Sequence, residues 1–262
     1  MSLLMKSQGE IKPFKCRIKQ CYNPGHYNVL EAFVKNPDRP PTSLKTISLF
    51  PLPNSIFYPG TVLPLHIFEE RYRQMVGDTI DSGQWIGMVL LKPGYEEEYM
   101  GSPDTVSVGC AGSIAQWNKH DDGKYDIVLR GKSRFRIVRE VGDTPYRQAE
   151  VELLNSVNDH PIEPSGELYK QLIGKFHAFT SQLPLNNAQK VEMDLQDCKT
   201  LGEAVDRVAY FFDQPLNDRQ RFLEELDVKK RYQKIQELID LKQRIVHQSA
   251  LFAKKGIDSR RN

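Results

Sequence analysis

Cysteine is scarce. The 262 residues hold four, at Cys16, Cys21, Cys110 and Cys198, too few and too scattered for a disulfide framework. Cys16, Cys21 and His26 would leave a tetrahedral metal site one ligand short, so no metal site is expected there. Long apolar runs are also missing. None approaches the roughly 18–20 residues that span a bilayer, and the apolar patch before Lys6 is shorter than the roughly 7–15 residues of a signal-peptide core. The expectation is a soluble, cytoplasmic chain with no membrane contact. Histidine is thin and dispersed, with six residues at 26, 66, 120, 160, 177 and 247. No H-E-x-x-H occurs, and His66 precedes Glu69 and Glu70 with no second histidine beside it in sequence. No G-x-S-x-G elbow is present. Gly131-Lys132-Ser133 looks like the end of a phosphate-binding loop, but Asp126 stands where that loop needs its first glycine. Neither an enzyme nor a cofactor is expected.

Charge of one sign is absent overall but not locally. Residues 1–44 carry seven basic and three acidic side chains, residues 45–218 carry 17 and 25, and residues 219–262 carry 12 and six. The acidic middle disfavours nucleic acid as a partner. The basic tail reads as a solvated helix face, since its charges alternate in sign over 224–242.

What is present divides the chain in three. Residues 1–43 show little periodicity and end in Asn36-Pro-Asp-Arg-Pro-Pro-Thr-Ser43, whose prolines exclude helix; they read as an extension and linker. Residues 44–157 read as strands: 46–50, 86–91, 106–110, 125–129, 134–138 and 149–154, with Asp122-Gly123 as a hairpin turn. Phe68, Tyr72, Met75, Val76 and Ile80 recur at helical spacing among them. In 134–138 the alternation puts Phe135 and Ile137 inward and the arginines outward, so the Arg130, Lys132, Arg134, Arg136 series reads as a solvated face. Residues 158–262 have a period near 3.6. Leu168, Leu172, Phe176, Phe179 and Leu183 form one stripe. Thr200-x-x-Glu203 opens a second helix as a capping box. Asn217-x-x-Gln220 caps a long last helix through Leu226, Ile235 and Ile245. An α+β plan follows, with a strand body and then a helical bundle.

One stretch is distinctive: Leu49-Phe-Pro-Leu-Pro-Asn-Ser-Ile-Phe-Tyr-Pro-Gly-Thr-Val-Leu-Pro-Leu-His-Ile-Phe-Glu-Glu-Arg-Tyr-Arg-Gln-Met75. It reads as strand, fixed loop, tight Pro59-Gly60 turn, a second strand ended by Pro64, and a helix whose first turn holds Glu69 and Glu70. It resembles the Lon N-terminal domain family, the substrate-binding domain of the ATP-dependent protease Lon, whose pattern is close to P-L-F-P-L-P-x-x-x-x-F-P-G-x-x-L-P-L-x-I-F-E-x-R-Y-x-x-M. Tyr58 stands where Phe is usual and Ser48 where Pro is. Val108-Gly-Cys-Ala-Gly-Ser-Ile114, Leu129-Arg-Gly-Lys-Ser-Arg-Phe-Arg-Ile137 and Gln220-Arg-Phe-Leu-Glu224 extend the likeness over about 44–245.

The resemblance implies a PUA-like β-barrel with one inserted helix, followed by a C-terminal helical bundle. With the chain stopping at Asn262, it also implies a stand-alone member without the ATPase and peptidase. The function it implies is non-catalytic binding of unfolded or misfolded polypeptide, as an adaptor or client-binding protein in quality control, with a protease or chaperone as partner. Candidate contacts are the apolar residues expected on loops: Phe57, Tyr58, Tyr95, Tyr99 and Met100. The alternative is RNA binding through the barrel and the basic C-terminal helix.

Overall fold

The computed structural model describes residues 44–98, 101–162, 166–183, 195 and 197–258. The extension 1–43, with Cys16, Cys21 and His26, lies outside them.

Six strands form one mixed sheet. They are β1 (Lys45–Leu52), β2 (Val62–Ile67), β3 (Ile86–Leu90), β4 (Val108–Lys119), β5 (Tyr125–Val141) and β6 (Gln148–Leu154), in the order β2-β5-β4-β3-β1-β6. Helix α1 (Glu70–Ser82) lies between β2 and β3. It belongs to the crossover that makes β1 and β3 parallel, Ser48 opposite Ile86 through Leu52 opposite Leu90. All other pairs are antiparallel.

Strand β5 has 17 residues and two partners on one side. Its first half pairs with β2, from Tyr125 to Arg130, and its second half with β6, from Arg134 to Val141. The β5–β6 pairing returns the sheet on itself, so β1, β3, β4, β5 and β6 form a closed circuit and β2 is left at an edge. Alternate residues of the circuit, among them Ile47, Leu49, Val89, Phe135 and Val151, share a small apolar cluster.

The sequence suggests two strands over 125–138 broken at Gly131-Lys132-Ser133, whereas the structure has one. Gly131 serves a close crossing there. The turn at Tyr58–Thr61 lies so near that a Cβ on Gly131 would overlap the Tyr58 carbonyl. Gly131 donates its N–H to the Thr61 carbonyl, 2.9 Å away, and accepts from the Gly60 N–H at 3.1 Å. Pro64, expected to end the second strand, instead sits in the middle of β2. An edge strand tolerates proline where the missing N–H would face away from the ladder.

The remaining elements are α2 (Glu167–Thr180), α3 (Leu201–Phe211), α4 (Leu216–Glu224) and α5 (Val228–Asp258). Half of the Thr200 box forms: its hydroxyl accepts from the Glu203 N–H at 3.2 Å, but the Glu203 carboxylate reaches back to the Lys199 N–H, 2.9 Å away, one residue short of Thr200. Asn217 does not cap. Helix α4 starts after Pro215, and the expected single helix is split, with Glu225 leaving the helical conformation. Phe176 and Phe179 of α2 pack edge-on or tilted against Phe211 and Phe212, with centroids 5.2–6.3 Å apart. One apolar cluster runs from strand residues Phe50, Met88 and Leu129 to helix residues Phe176, Val205 and Ile239. Sheet and helices therefore share a core, and the described residues belong to one compact unit. Among the described residues no helix is long and apolar enough to cross a membrane.

Candidate functional site

The five residues expected on loops fall in different places. Phe57 and Tyr58 are core residues, 1% and 0% exposed, which corrects their reading as surface contacts. The proline-punctuated loop is pinned inward. Tyr58 stacks edge-on against Phe222 with centroids 5.3 Å apart and donates its hydroxyl to the Arg219 carbonyl at 3.1 Å. Arg219 in turn donates to the Ile56 carbonyl at 2.6 Å. Burial pushes the Tyr58 phenol up to about 12. Tyr95 is half-buried in a short 3-10 turn, Tyr95–Glu98. Tyr99 and Met100 lie outside the described residues. Cys110 and Cys198 are buried, and burial pushes the Cys110 thiol up.

The arginine series also divides. Arg136 is exposed and pairs with Glu152 at 3.3 Å. Arg134 is 2% exposed, because helices cover the outer face of β5 at that point. Its guanidinium takes the Asp206 carboxylate bidentately, at 2.7 and 3.0 Å, and gives its Nε–H to the Leu223 carbonyl at 2.8 Å. Arg231 of α5 donates to the same carboxylate and, at 2.8 Å, to the Ser156 hydroxyl. Burial lowers the Arg134 pKa, but Asp206 outweighs it and leaves it raised. For Arg231, burial prevails and the pKa is lowered. Two buried cations thus share one anion. Part of the signal was present in sequence: Arg231 falls between Val228 and Ile235 at stripe spacing, whereas Asp206 stands beside the apolar stripe of α3 rather than in it.

This network floors a cleft of about 510 Å³ between β5, the 154–159 segment and the start of α3. Its walls mix Arg130, Lys132 and Lys199 with Asp159, Glu203 and Arg207. Several of these charges are engaged internally. Asp159 accepts from the Gly202 N–H at 2.9 Å and the Thr200 hydroxyl at 3.0 Å, and Glu203 pairs with Arg207 at 2.7 Å. The cleft is therefore ion-paired rather than of one sign.

The open surface lies at β2. Among the described residues its only strand partner is β5. The Thr61 carbonyl points at β5, accepting from Gly131. Alternation along an antiparallel strand then turns Leu63, Leu65 and Ile67 toward the ladder, and Val62, Pro64 and His66 away from it. The free edge offers two N–H groups, from Val62 and His66, and three carbonyls, with Pro64 interrupting the donors. Val62 and Phe68 beside it, and Trp117 on β4, are 39%, 47% and 53% exposed. At the far end of this edge His66 Nδ1 lies 2.6 Å from Asp126 Oδ1, and His120 Nε2 lies 2.7 Å from Asp126 Oδ2. The two histidines are 54 positions apart in sequence, and only strand register brings them together. Burial raises the Asp126 pKa, but these hydrogen bonds outweigh it and hold the carboxyl below its ordinary value.

Known proteins share this fold. The Lon N-terminal domain protein from Xanthomonas campestris aligns with a TM-score of 0.52 at 23% identity, covering 74% of this chain and 98% of that one. The N-terminal domain of the Mycobacterium avium complex Lon protease aligns at 0.54 and 16%, covering 75% and 98%. In sequence, Lon protease 2 of Myxococcus xanthus is 29% identical over 205 residues, 77% of this chain and 24% of that protein. The Lon protease of Anaeromyxobacter dehalogenans is 28% identical over 203 residues, 76% and 24%. The chain thus spans about a quarter of the length of these relatives. The family model for the ATP-dependent protease La (LON) substrate-binding domain matches residues 46–240. A match over that much of the chain establishes that this protein belongs to the Lon substrate-binding domain family.

Proposed function

We propose that the chain is a non-catalytic module that recognises unfolded polypeptide, and that an extended client segment docks on the open edge of β2. The observation that carries this reading is the unpaired outward row of Val62, Pro64 and His66 beside exposed Phe68. Strand addition draws affinity from main-chain hydrogen bonds and specificity from alternate side-chain contacts. Family membership supports polypeptide as the ligand class. The returning β5–β6 pairing supports a PUA-like barrel, and the packed phenylalanines of α2 and α3 support a helical bundle that backs it. Tyr95, Tyr99 and Met100 form a second contact in this reading. The partners are misfolded clients and the protease or chaperone that receives them, in the cytoplasm.

The binding is weak by construction. Each net hydrogen bond contributes about 0.5–1.5 kcal/mol, and Pro64 removes the central donor. Fluorescence anisotropy of a labelled, permanently unfolded polypeptide tests the reading. Val62→Pro removes an outward N–H without touching the β5 ladder, and Phe68→Ser removes the apolar neighbour. Together they are expected to weaken binding about 30-fold, since each term is worth about 1 kcal/mol and about 1.4 kcal/mol is tenfold. If the double variant binds like the parent while Tyr95→Ala with Tyr99→Ala binds less well, the site is the 94–101 loop. If the parent binds no unfolded polypeptide, the reading fails.

A further inference from the structure

We infer that His66, His120 and Asp126 form a surface site for one zinc-class divalent ion. The three ligand atoms all lie within 4.8 Å of one another. Each comes from a different part of the sheet: His66 sits on β2 directly opposite Asp126 on β5, and His120 follows the last residue of β4. Neighbouring strands set the spacing, so the convergence does not depend on a long loop. The two imidazole nitrogens already aim at opposite oxygens of one carboxylate, and the rings stand 6.1 Å apart between centroids.

The donor set selects the ion. Two imidazoles and one carboxylate suit zinc and its neighbours, whereas calcium and magnesium require oxygen ligands. Ligand distances of about 2.0–2.1 Å in a tetrahedral site imply donor separations of about 3.3 Å. The imidazole–carboxylate contacts of 2.6 and 2.7 Å need to open by about 0.7 Å, and the two imidazole nitrogens, within 4.8 Å of each other, need to reach the same spacing. Side-chain rotation at the surface suffices, because the side chains of His66, Asp126 and His120 are 55%, 55% and 40% exposed. Each liganding nitrogen must give up its proton, which passes through solvent to the other nitrogen of the same ring, so both imidazoles bind as neutral ligands; the two imidazole–carboxylate hydrogen bonds are exchanged for bonds to the ion. Three protein ligands leave a fourth position open to water. The ion would join β2 to β5 and to the end of β4, holding the strand that is otherwise attached on one side only.

The site shares His66 with the proposed docking edge but does not rest on that reading, and it is tested without polypeptide, so the failure of one is distinguishable from the failure of the other. Isothermal titration of the tag-free, chelator-treated full chain with zinc chloride is expected to give one ion per chain, with a dissociation constant on the order of 1 µM for a three-ligand exposed site. His120→Ala and Asp126→Asn are each expected to weaken it by more than about 100-fold, beyond the 10–100-fold typical of outer-sphere partners. Both residues are exposed, so an unchanged melting temperature without metal shows that the fold is kept. Cys16→Ser with Cys21→Ser is expected to bind like the parent. Cobalt(II) in place of zinc should develop visible absorption in the parent and not in the histidine variant. The inference is overturned if the parent takes up no zinc, if the histidine and aspartate variants bind it undiminished, or if the cysteine variant is the one that loses it.

Discussion

Replacing Asp206 with asparagine should cost more than any other single change of its size. The carboxylate lies between two guanidiniums that are 2% and 0% exposed. It accepts two bonds from Arg134 and one from Arg231. Asp206→Asn keeps the shape but removes the only anion in the network, leaving two cations facing each other away from water. Removing one partner of a buried ion pair costs about 3–5 kcal/mol, and the upper half of that range applies because two charges are orphaned. Against a total stability of about 5–15 kcal/mol, urea unfolding followed by circular dichroism should show a loss of about 4 kcal/mol. The melting temperature should fall by about 8–16 °C, at the roughly 2–4 °C per kcal/mol of a chain this size. The companion variant Arg134→Met/Asp206→Leu/Arg231→Met separates the causes. If desolvation is the burden, an apolar trio of similar volume should return to within about 1 kcal/mol of the parent. Arg134, with three bonds and a raised pKa, is the better compensated cation. Arg231→Met should therefore cost less than Arg134→Met. A loss under about 1 kcal/mol in Asp206→Asn would refute the account, since it would mean that water reaches the pair.

Two further outcomes are expected. Gly60 has φ +78° and would place a Cβ 2.5 Å from Glu203 Cγ, so Gly60→Val should lower stability by about 1–3 kcal/mol, and an unchanged melting temperature would show that the turn relaxes freely. The Tyr58 phenol, pushed up to about 12 from 10.0 by burial, ionises first in the unfolded chain. Its stabilising contribution is intact below pH 10 and is lost as pH rises through 12. The parent should therefore lose up to about 1.4 kcal/mol per pH unit across that window more than Tyr58→Phe does, and parallel pH profiles of the two would remove Tyr58 as the cause.

Much of the architecture was legible where period and punctuation agreed. The apolar run at 86–91, the alternation at 149–154 and the Thr200 box each correspond to an element of the structure. Reading failed where one residue type serves two purposes. Gly131 suggests a turn but relieves a close crossing, and Pro64 suggests a strand end but marks a strand edge. Phe57 and Tyr58 lie in a loop by composition, and nothing local reveals that helices cover it. Arg134 alternates outward correctly, yet outward at that point means toward α3 and α5. The histidine pair was invisible because its proximity is created by register between β2, β5 and β4, and register is not written in any one segment.

The closed circuit of strands has a consequence for stability. The β1–β6 ladder joins Lys45 with Val151 and Ser48 with Gln148, so four residue pairs tie together the ends of a loop of about 100 residues. Closing such a loop costs about 4 kcal/mol in chain entropy, growing only as the logarithm of its length. Four pairs at an unassembled seam do not offset that alone. They hold once Phe135 and its neighbours already fill the space between the strands. The seam therefore draws its stability from the core it closes over rather than from its own four pairs. The seam is a clasp, fastened by a core made elsewhere.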